Sequence, residues 1–339
     1  MVGVAILGWW HVHAKDYAAE ADAHPDARIV AVWDEDPARG REAAERHGAA
    51  FHERLEEVLG REDVDGVVVT TATAAHPAVI GAAARAGKHV FTEKVLATTL
   101  RDAAAIAVAT ERAGVVLTVS LPRLSFGSAR AIKEDIDRGR LGRITYARVR
   151  IAHNGAVRTA TNPEGWLPGH FFDPAAAGGG ALIDLGSHPM YLVRWFLGMP
   201  ESVSASYGSV TGRPVEDNSV ATLRYPNGAL GIVEASIVDG TSSFAIEVHG
   251  TEGSLLYRRP EGALTRYAAT DAGAPAGNRV ELPPDLPSPF EQWVEHIQRG
   301  AKAEANVRMA LDLSALMEAA NLSAATDRPV RLDDLSRPG

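Results

Sequence analysis

From the N-terminus to about residue 120, short apolar, β-branched runs alternate with longer Ala-rich stretches whose apolar positions recur at helical spacing. That alternation marks βαβ units and a parallel sheet. Residues 4–7, 28–33, 66–70, 89–91 and 115–119 read as strands, and 38–47, 77–86 and 100–113 as helices. Gly48, Gly87 and Gly114 follow those helices, where a helix C-terminus favours a left-handed residue.

The pattern changes after residue 120. A helix over 128–138 leads through Gly139 and Gly142 into a long strand at 144–151, which opens a second domain. A loop rich in Gly, Pro and Asn runs to Gly178-Gly179-Gly180, and a helix over about 183–197 follows. Strands at 202–207, 219–225, 229–237, 244–250 and 253–257 come next, with Pro226-Asn227-Gly228 as a hairpin turn. Consecutive strands with little helix between them predict an antiparallel sheet. The Pro-rich segment 282–289 ends it, helices over 290–299 and 307–326 close the chain, and 268–277 reads as a mobile loop.

A length of 339 residues exceeds what one core usually holds, so two domains are expected, 1–122 and 123–332. A net charge of −9 opposes nucleic acid and anionic membranes as partners. The absence of cysteine removes disulfides, thiolate metal sites and cysteine nucleophiles, which leaves His, Lys, Asp, Glu, Tyr or a bound cofactor to carry any chemistry. The apolar run at 2–10 has no basic region before it and reads as a buried strand. No stretch reaches the roughly 20 apolar residues of a membrane span, so a cytoplasmic protein is the expectation.

Gly8 follows the first strand and opens a helical segment, the place of the first glycine in a dinucleotide-binding turn. Trp10 and His13 occupy the positions of the other two glycines. Asp34 ends the second strand 26 residues later, near the ~20-residue spacing of the acid that accepts from a ribose hydroxyl. Alternatively, Asp34, Glu35 and Asp36 cap the next helix. A carboxylate at that tip would repel a 2′-phosphate, favouring NAD over NADP. His11 and His13 have no third ligand nearby, so they line a cofactor loop in this reading and no metal is expected.

Glu93 and Lys94 stand at the tip of the strand 89–91, where open α/β sheets bind ligands. The ammonium could orient a substrate hydroxyl or belong to an ordinary ion pair. Asp184 and His188, four apart after the glycine triplet, share one face of a helix. An imidazole beside a carboxylate can take the hydroxyl proton that must leave as an alcohol is oxidised. A capping Asp and a half-buried His would also account for the pair.

Together these residues resemble the Gfo/Idh/MocA family of sugar and polyol dehydrogenases across residues 1–332. Glu93-Lys94 resembles its Glu-Lys-Pro motif, Gly178 to His188 its catalytic helix, and Thr71 to His76 its T-x-x-x-x-H segment. The resemblance implies an N-terminal Rossmann-type doubly wound parallel sheet and a C-terminal α+β domain with an open, mainly antiparallel sheet. It implies that Lys94, Asp184 and His188 meet where nicotinamide and substrate lie. His188 would accept the proton, Lys94 orient or relay, and Asp184 position both. Gly8, Trp10, His11, His13, Asp34, Thr71, His76 and Glu93 fall on the cofactor side.

Arg123, Trp166 and His170 lie in segments that line the substrate side in similar proteins; an aromatic ring suits the C–H face of a sugar, and Arg123 a hydroxyl or a carboxylate. The exposed sheet face is commonly a subunit interface in such enzymes, so a homodimer or homotetramer is expected. The closing helices, including Trp293, resemble the segment that braces the nucleotide domain. Three departures stand out: Val95 in place of proline, a glycine-poor first turn that Trp10 could offset by covering the nicotinamide, and Tyr191 where relatives often carry an acid. The expected activity is NAD-dependent oxidation of a secondary hydroxyl of a sugar, glycoside or cyclitol, or the reverse. The rivals are another substrate class on the same scaffold, such as an aromatic dihydrodiol or hydrolysis with tightly held NAD, and a non-catalytic NAD sensor.

Overall fold

The structure is a computed structural model that describes residues 1–269 and 277–335; most of the loop expected at 268–277 lies outside the described residues. The chain divides into two compact units, Met1–Leu121 with Pro287–Ser314, and Pro122–Leu286 with Ala315–Gly339.

The first unit is built on six parallel strands: β1 (Val2–Leu7), β2 (Ala27–Trp33), β3 (Ala50–His52), β4 (Gly66–Val69), β5 (His89–Thr92) and β6 (Leu117–Val119). Their order, β3-β2-β1-β4-β5-β6, is that of the dinucleotide-binding fold. Every residue of β1 and β4 is buried, as central strands covered by helices on both faces require. The expected helices form at Pro37–His47, His76–Arg85 and Leu100–Arg112. Gly48, Gly87 and Gly114 after them take φ values of 61°, 74° and 71°.

The strand β3 escapes sequence reading because three residues, Ala50, Phe51 and His52, are too few to carry a period. Helix Pro289–Arg299 opens with a Ser288 capping box and packs its aromatic face on the sheet. Phe290 and Trp293 lie 5.6 and 5.9 Å from Phe91, ring to ring. A Cβ at Gly66 would stand 2.7 Å from the Trp293 ring, so this strand can approach the indole only as glycine.

The second unit holds nine strands: β7 (Ile144–Ala152), β8 (Ser202–Gly208), β9 (Asn218–Arg224), β10 (Leu230–Ser236), β11 (Phe244–Gly250), β12 (Gly253–Arg259), β13 (Ala263–Ala268), β14 (Gly277–Val280) and β15 (Val330–Arg331). Their order is β14-β13-β12-β11-β7-β10-β9-β8-β15. The expected hairpin turn forms, with Gly228 at φ 85° and its N–H donating to Tyr225 O at 3.0 Å.

The sheet is mainly antiparallel, as expected, with one exception, since β10 runs parallel to β7. After β7 the chain leaves the sheet, forms helix Ser187–Leu197 across β7 and β10, and returns; such a crossover is what a parallel pair needs. Ala147, Val149 and Ile151 of β7 face the core. The opposite face carries Arg148 and Arg150, paired with Glu234, Glu247 and Asp239 at 2.8–3.4 Å.

Candidate active site

In the first unit, Gly8 has a φ of +87°, and a Cβ there would stand 2.7 Å from the Thr71 methyl and 2.8 Å from Thr71 N. Thr70 Oγ1 donates to Gly8 O at 2.5 Å, and the Gly8 N–H donates to Trp33 O at 2.7 Å. Beside this close approach, Thr71 Oγ1 is buried without a hydrogen-bond partner among the described residues. Helix Ala14–Ala23, which follows, has no side-chain cap. A left-handed glycine, an orphaned hydroxyl and a helix N-terminus are what a dinucleotide pyrophosphate calls for, so the residues present fit that group.

Trp10 is buried, and the His11 and His13 rings stack at 5.2 Å. His13 Nδ1 also lies 2.7 Å from Asp16. The Asp34 side chain is buried, and its two oxygens accept from four donors. Trp9 N donates to Oδ2 at 2.5 Å and Asp36 N to Oδ1 at 2.7 Å. The Arg39 guanidinium grips both oxygens at 2.9 and 2.7 Å. A ribose hydroxyl therefore reaches Asp34 only by displacing one of these donors.

Lys94 Nζ lies 3.5 Å from Glu93 Oε1, and both side chains are buried. Tyr17 donates its phenol hydrogen to Glu93, and Ser120 Oγ lies 2.8 Å from the same phenol oxygen. Burial pushes the Glu93 carboxyl up, but His11, Lys94, His13 and the Tyr17 hydrogen bond outweigh it, and the net shift is downward. Burial and Glu93 hold the Tyr17 hydroxyl well above its ordinary range, so it remains a donor. The Lys94–Val95 peptide is cis. His76 is buried, with Nδ1 within 3.1 and 3.2 Å of Val95 O and Leu96 O, and burial keeps its ring neutral. Its Nδ1–H braces the turn after Lys94.

In the second unit, the predicted helix begins differently from expectation, since Leu182–Gly186 forms a π turn before the α-helix Ser187–Leu197. Asp184 lies in the π turn and His188 in the first α turn, which re-aims the carboxylate from plain i, i+4 spacing; such turns are frequent at functional sites. The preceding amides are clamped by Glu216. Its carboxylate accepts from Gly180 N and Leu182 N, each at 2.9 Å, and its carbonyl from Ala181 N at 2.9 Å. A Cβ at Gly180 would stand 2.1 Å from Glu216 O, which explains the last glycine of the triplet. Burial raises the Glu216 pKa, although the two amides oppose the shift.

His188 is 8% exposed, and its Nδ1 lies 3.0 Å from Tyr191 Oη. That phenol oxygen accepts from Arg123 N at 3.1 Å. The Tyr191 hydroxyl thus stands beside the imidazole, at the position noted as a departure from the family pattern. Trp166 is 47% exposed, packs on His153 at 4.8 Å, and donates Nε1–H to Asn154 at 2.9 Å. His170 lies 5.3 Å from Phe171. Sequence reading missed Tyr17 and Glu216. Each is a lone polar residue whose partner is 76 or about 35 positions away, so no local spacing marks it.

Residues 2–121 match the family model described as oxidoreductase family, NAD-binding Rossmann fold, and residues 129–256 match the GFO/IDH/MocA C-terminal domain. The chain is 33% identical to 1,5-anhydro-D-fructose reductase of Ensifer adhaerens over 74% of its length and 76% of that protein. It is 27% identical to scyllo-inositol 2-dehydrogenase (NAD(+)) of Bacillus subtilis (strain 168), covering 98% and 95% of the two chains. Among solved structures it is similar to GenD2 from gentamicin A biosynthesis in complex with NAD, with a TM-score of 0.81, 28% identity, and 97% and 96% of the chains covered. With both domain models matched in order along the chain and a relative 33% identical over three-quarters of it, the chain belongs to the GFO/IDH/MocA family of oxidoreductases.

Proposed function

We propose that this protein oxidises a secondary hydroxyl of a sugar, glycoside or cyclitol to the ketone, or runs the reverse reduction, with NAD(H) as its redox partner. The observation that carries the reading is the buried His188 imidazole, held by Tyr191 at the head of a π-initiated helix. With Nδ1–H donated to Tyr191 Oη, His188 Nε2 keeps its lone pair to accept the hydroxyl proton. Asp184 steadies the charged imidazolium. Lys94, anchored by Glu93 and Tyr17, orients the same hydroxyl and stabilises the oxygen as it loses its proton. Trp166 and His170 offer rings for the C–H face of the substrate.

When bound, the nicotinamide supplies the hydride acceptor or donor. Gly8, Thr71 and the N-terminus of helix Ala14–Ala23 would hold its pyrophosphate, with Trp10, His11 and His13 along the same turn. NAD is favoured over NADP because Asp34, Glu35 and Asp36 set three carboxylates against Arg39, whose guanidinium already binds Asp34 and Glu35. A 2′-phosphate would meet net negative charge there. The charged β7–β10 face is the surface for pairing with further copies of the chain in this reading.

The test is nicotinamide absorbance followed over a panel of sugars, 1,5-anhydrosugars and inositols. The reading predicts turnover of at least one of them, abolished by Lys94→Ala. NAD binding without turnover of any panel member would instead support a sensor.

A further inference from the structure

The partly buried arginines of the second unit nearly all have acceptors. Arg148 grips Glu234, Arg150 pairs with Asp239, Arg266 pairs with Asp135, and Arg213 donates to the carbonyls of Ala156 and Glu164. Arg123 breaks this pattern. The residue is half-buried, its Nε is sealed from solvent, and that N–H has no acceptor among the described residues. Its guanidinium lies over the Phe244 ring at 4.4 Å and 5.7 Å from that of Phe126.

Arg259 flanks the same two rings, 5.9 Å from each centroid. Two guanidinium groups therefore border one aromatic pair, and no described carboxylate forms a salt bridge with either. Burial chiefly, with Arg259 adding to it, draws the Arg123 pKa down from the ordinary arginine range. A largely buried guanidinium with no carboxylate partner is costly, and an oxyanion beside it would offset that cost. The backbone of Arg123 is tied to Tyr191 Oη, which also contacts His188 Nδ1, so this cationic pair belongs to the same neighbourhood as the proposed base.

Building on the dehydrogenase reading, we propose that the substrate carries a carboxylate, as a sugar acid or cyclitol acid does, and that Arg123 and Arg259 receive it. The planar guanidinium fork suits two parallel N–H···O bonds to a carboxylate.

The experiment uses the full chain with NAD+ and compares kcat/KM for a neutral sugar, its uronic acid and its phosphate monoester. The acid is expected to exceed the neutral sugar by about tenfold or more. Arg259→Ala is expected to reduce the acid-to-neutral ratio by about the same factor, mainly through the KM of the acid. Arg123→Lys, which keeps the charge and loses the fork, should reduce it as well. Equal kcat/KM for acid and neutral sugar, a preference for the phosphate ester, or an unchanged ratio in Arg259→Ala would each overturn the proposal.

Calorimetric binding of the uronic acid to wild type and Arg259→Ala separates this proposal from the dehydrogenase reading. Binding that weakens in the variant supports the anion site even if no panel member turns over, a result that would defeat the activity alone. No binding and no turnover would defeat both.

Discussion

Glu216→Ala removes a clamp that sequence reading did not find. Wild-type Glu216 satisfies two buried amides, Gly180 N and Leu182 N, at 2.9 Å each. Leaving a buried donor unmet costs about 1–3 kcal/mol, so two cost about 2–6 kcal/mol. Loss of a carboxyl whose ionised form is disfavoured by burial offsets part of this, leaving about 2–4 kcal/mol. For a unit of this size each kcal/mol lowers the melting temperature by about 2–4 °C, so a fall of roughly 4–16 °C is expected by calorimetry. Because the freed amides begin the segment that carries Asp184 and His188, kcat should fall about 10–100-fold, as misplacement of reacting groups does. Destabilisation below about 0.5 kcal/mol together with unchanged kcat would refute the clamp.

Gly8→Ala puts a methyl 2.7–2.9 Å from Thr71 at a φ of +87°, and is expected to weaken NAD binding more than tenfold, read by quenching of Trp9 and Trp10 fluorescence; an unchanged dissociation constant would remove the cofactor turn. Asp34→Ser frees Arg39 from its acid and should raise the NADP-to-NAD ratio of kcat/KM by at least about tenfold, whereas an unchanged ratio would contradict the charge argument. His89 accepts from Val116 N at 3.0 Å through Nδ1, and burial lowers its pKa, as it does for His76. Stability from these neutral rings is present above the ordinary histidine pKa of about 6.5 and is lost as pH falls through the lower folded-state values. His89→Gln keeps an acceptor without a titration, so its urea midpoint should depend less on pH than that of wild type over about pH 7.5 to 5; parallel profiles would contradict this.

The first unit was legible because buried parallel strands and amphipathic helices announce themselves by period, and because Gly48, Gly87 and Gly114 mark helix ends. What escaped was either short, as with β3 and β15, or set by pairing between distant segments. The parallel register of β7 and β10 follows from a crossover that no local window contains. The chemistry was partly legible for the same reason. Lys94 and His188 lie in compact motifs and Tyr191 stands one turn from His188, but Tyr17 and Glu216 act across folded distance. Asp34 shows the converse, since its spacing suits a ribose while its oxygens are already taken by Arg39 and two amides.

The central claim is that His188 accepts the substrate proton. Its most direct test is single-turnover reduction of NAD+ by the best panel substrate in wild type and His188→Asn, with NAD affinity measured in parallel. The rate should fall about 10²–10⁴-fold while NAD affinity stays within about twofold. A variant that reduces NAD+ at the wild-type rate would contradict the account.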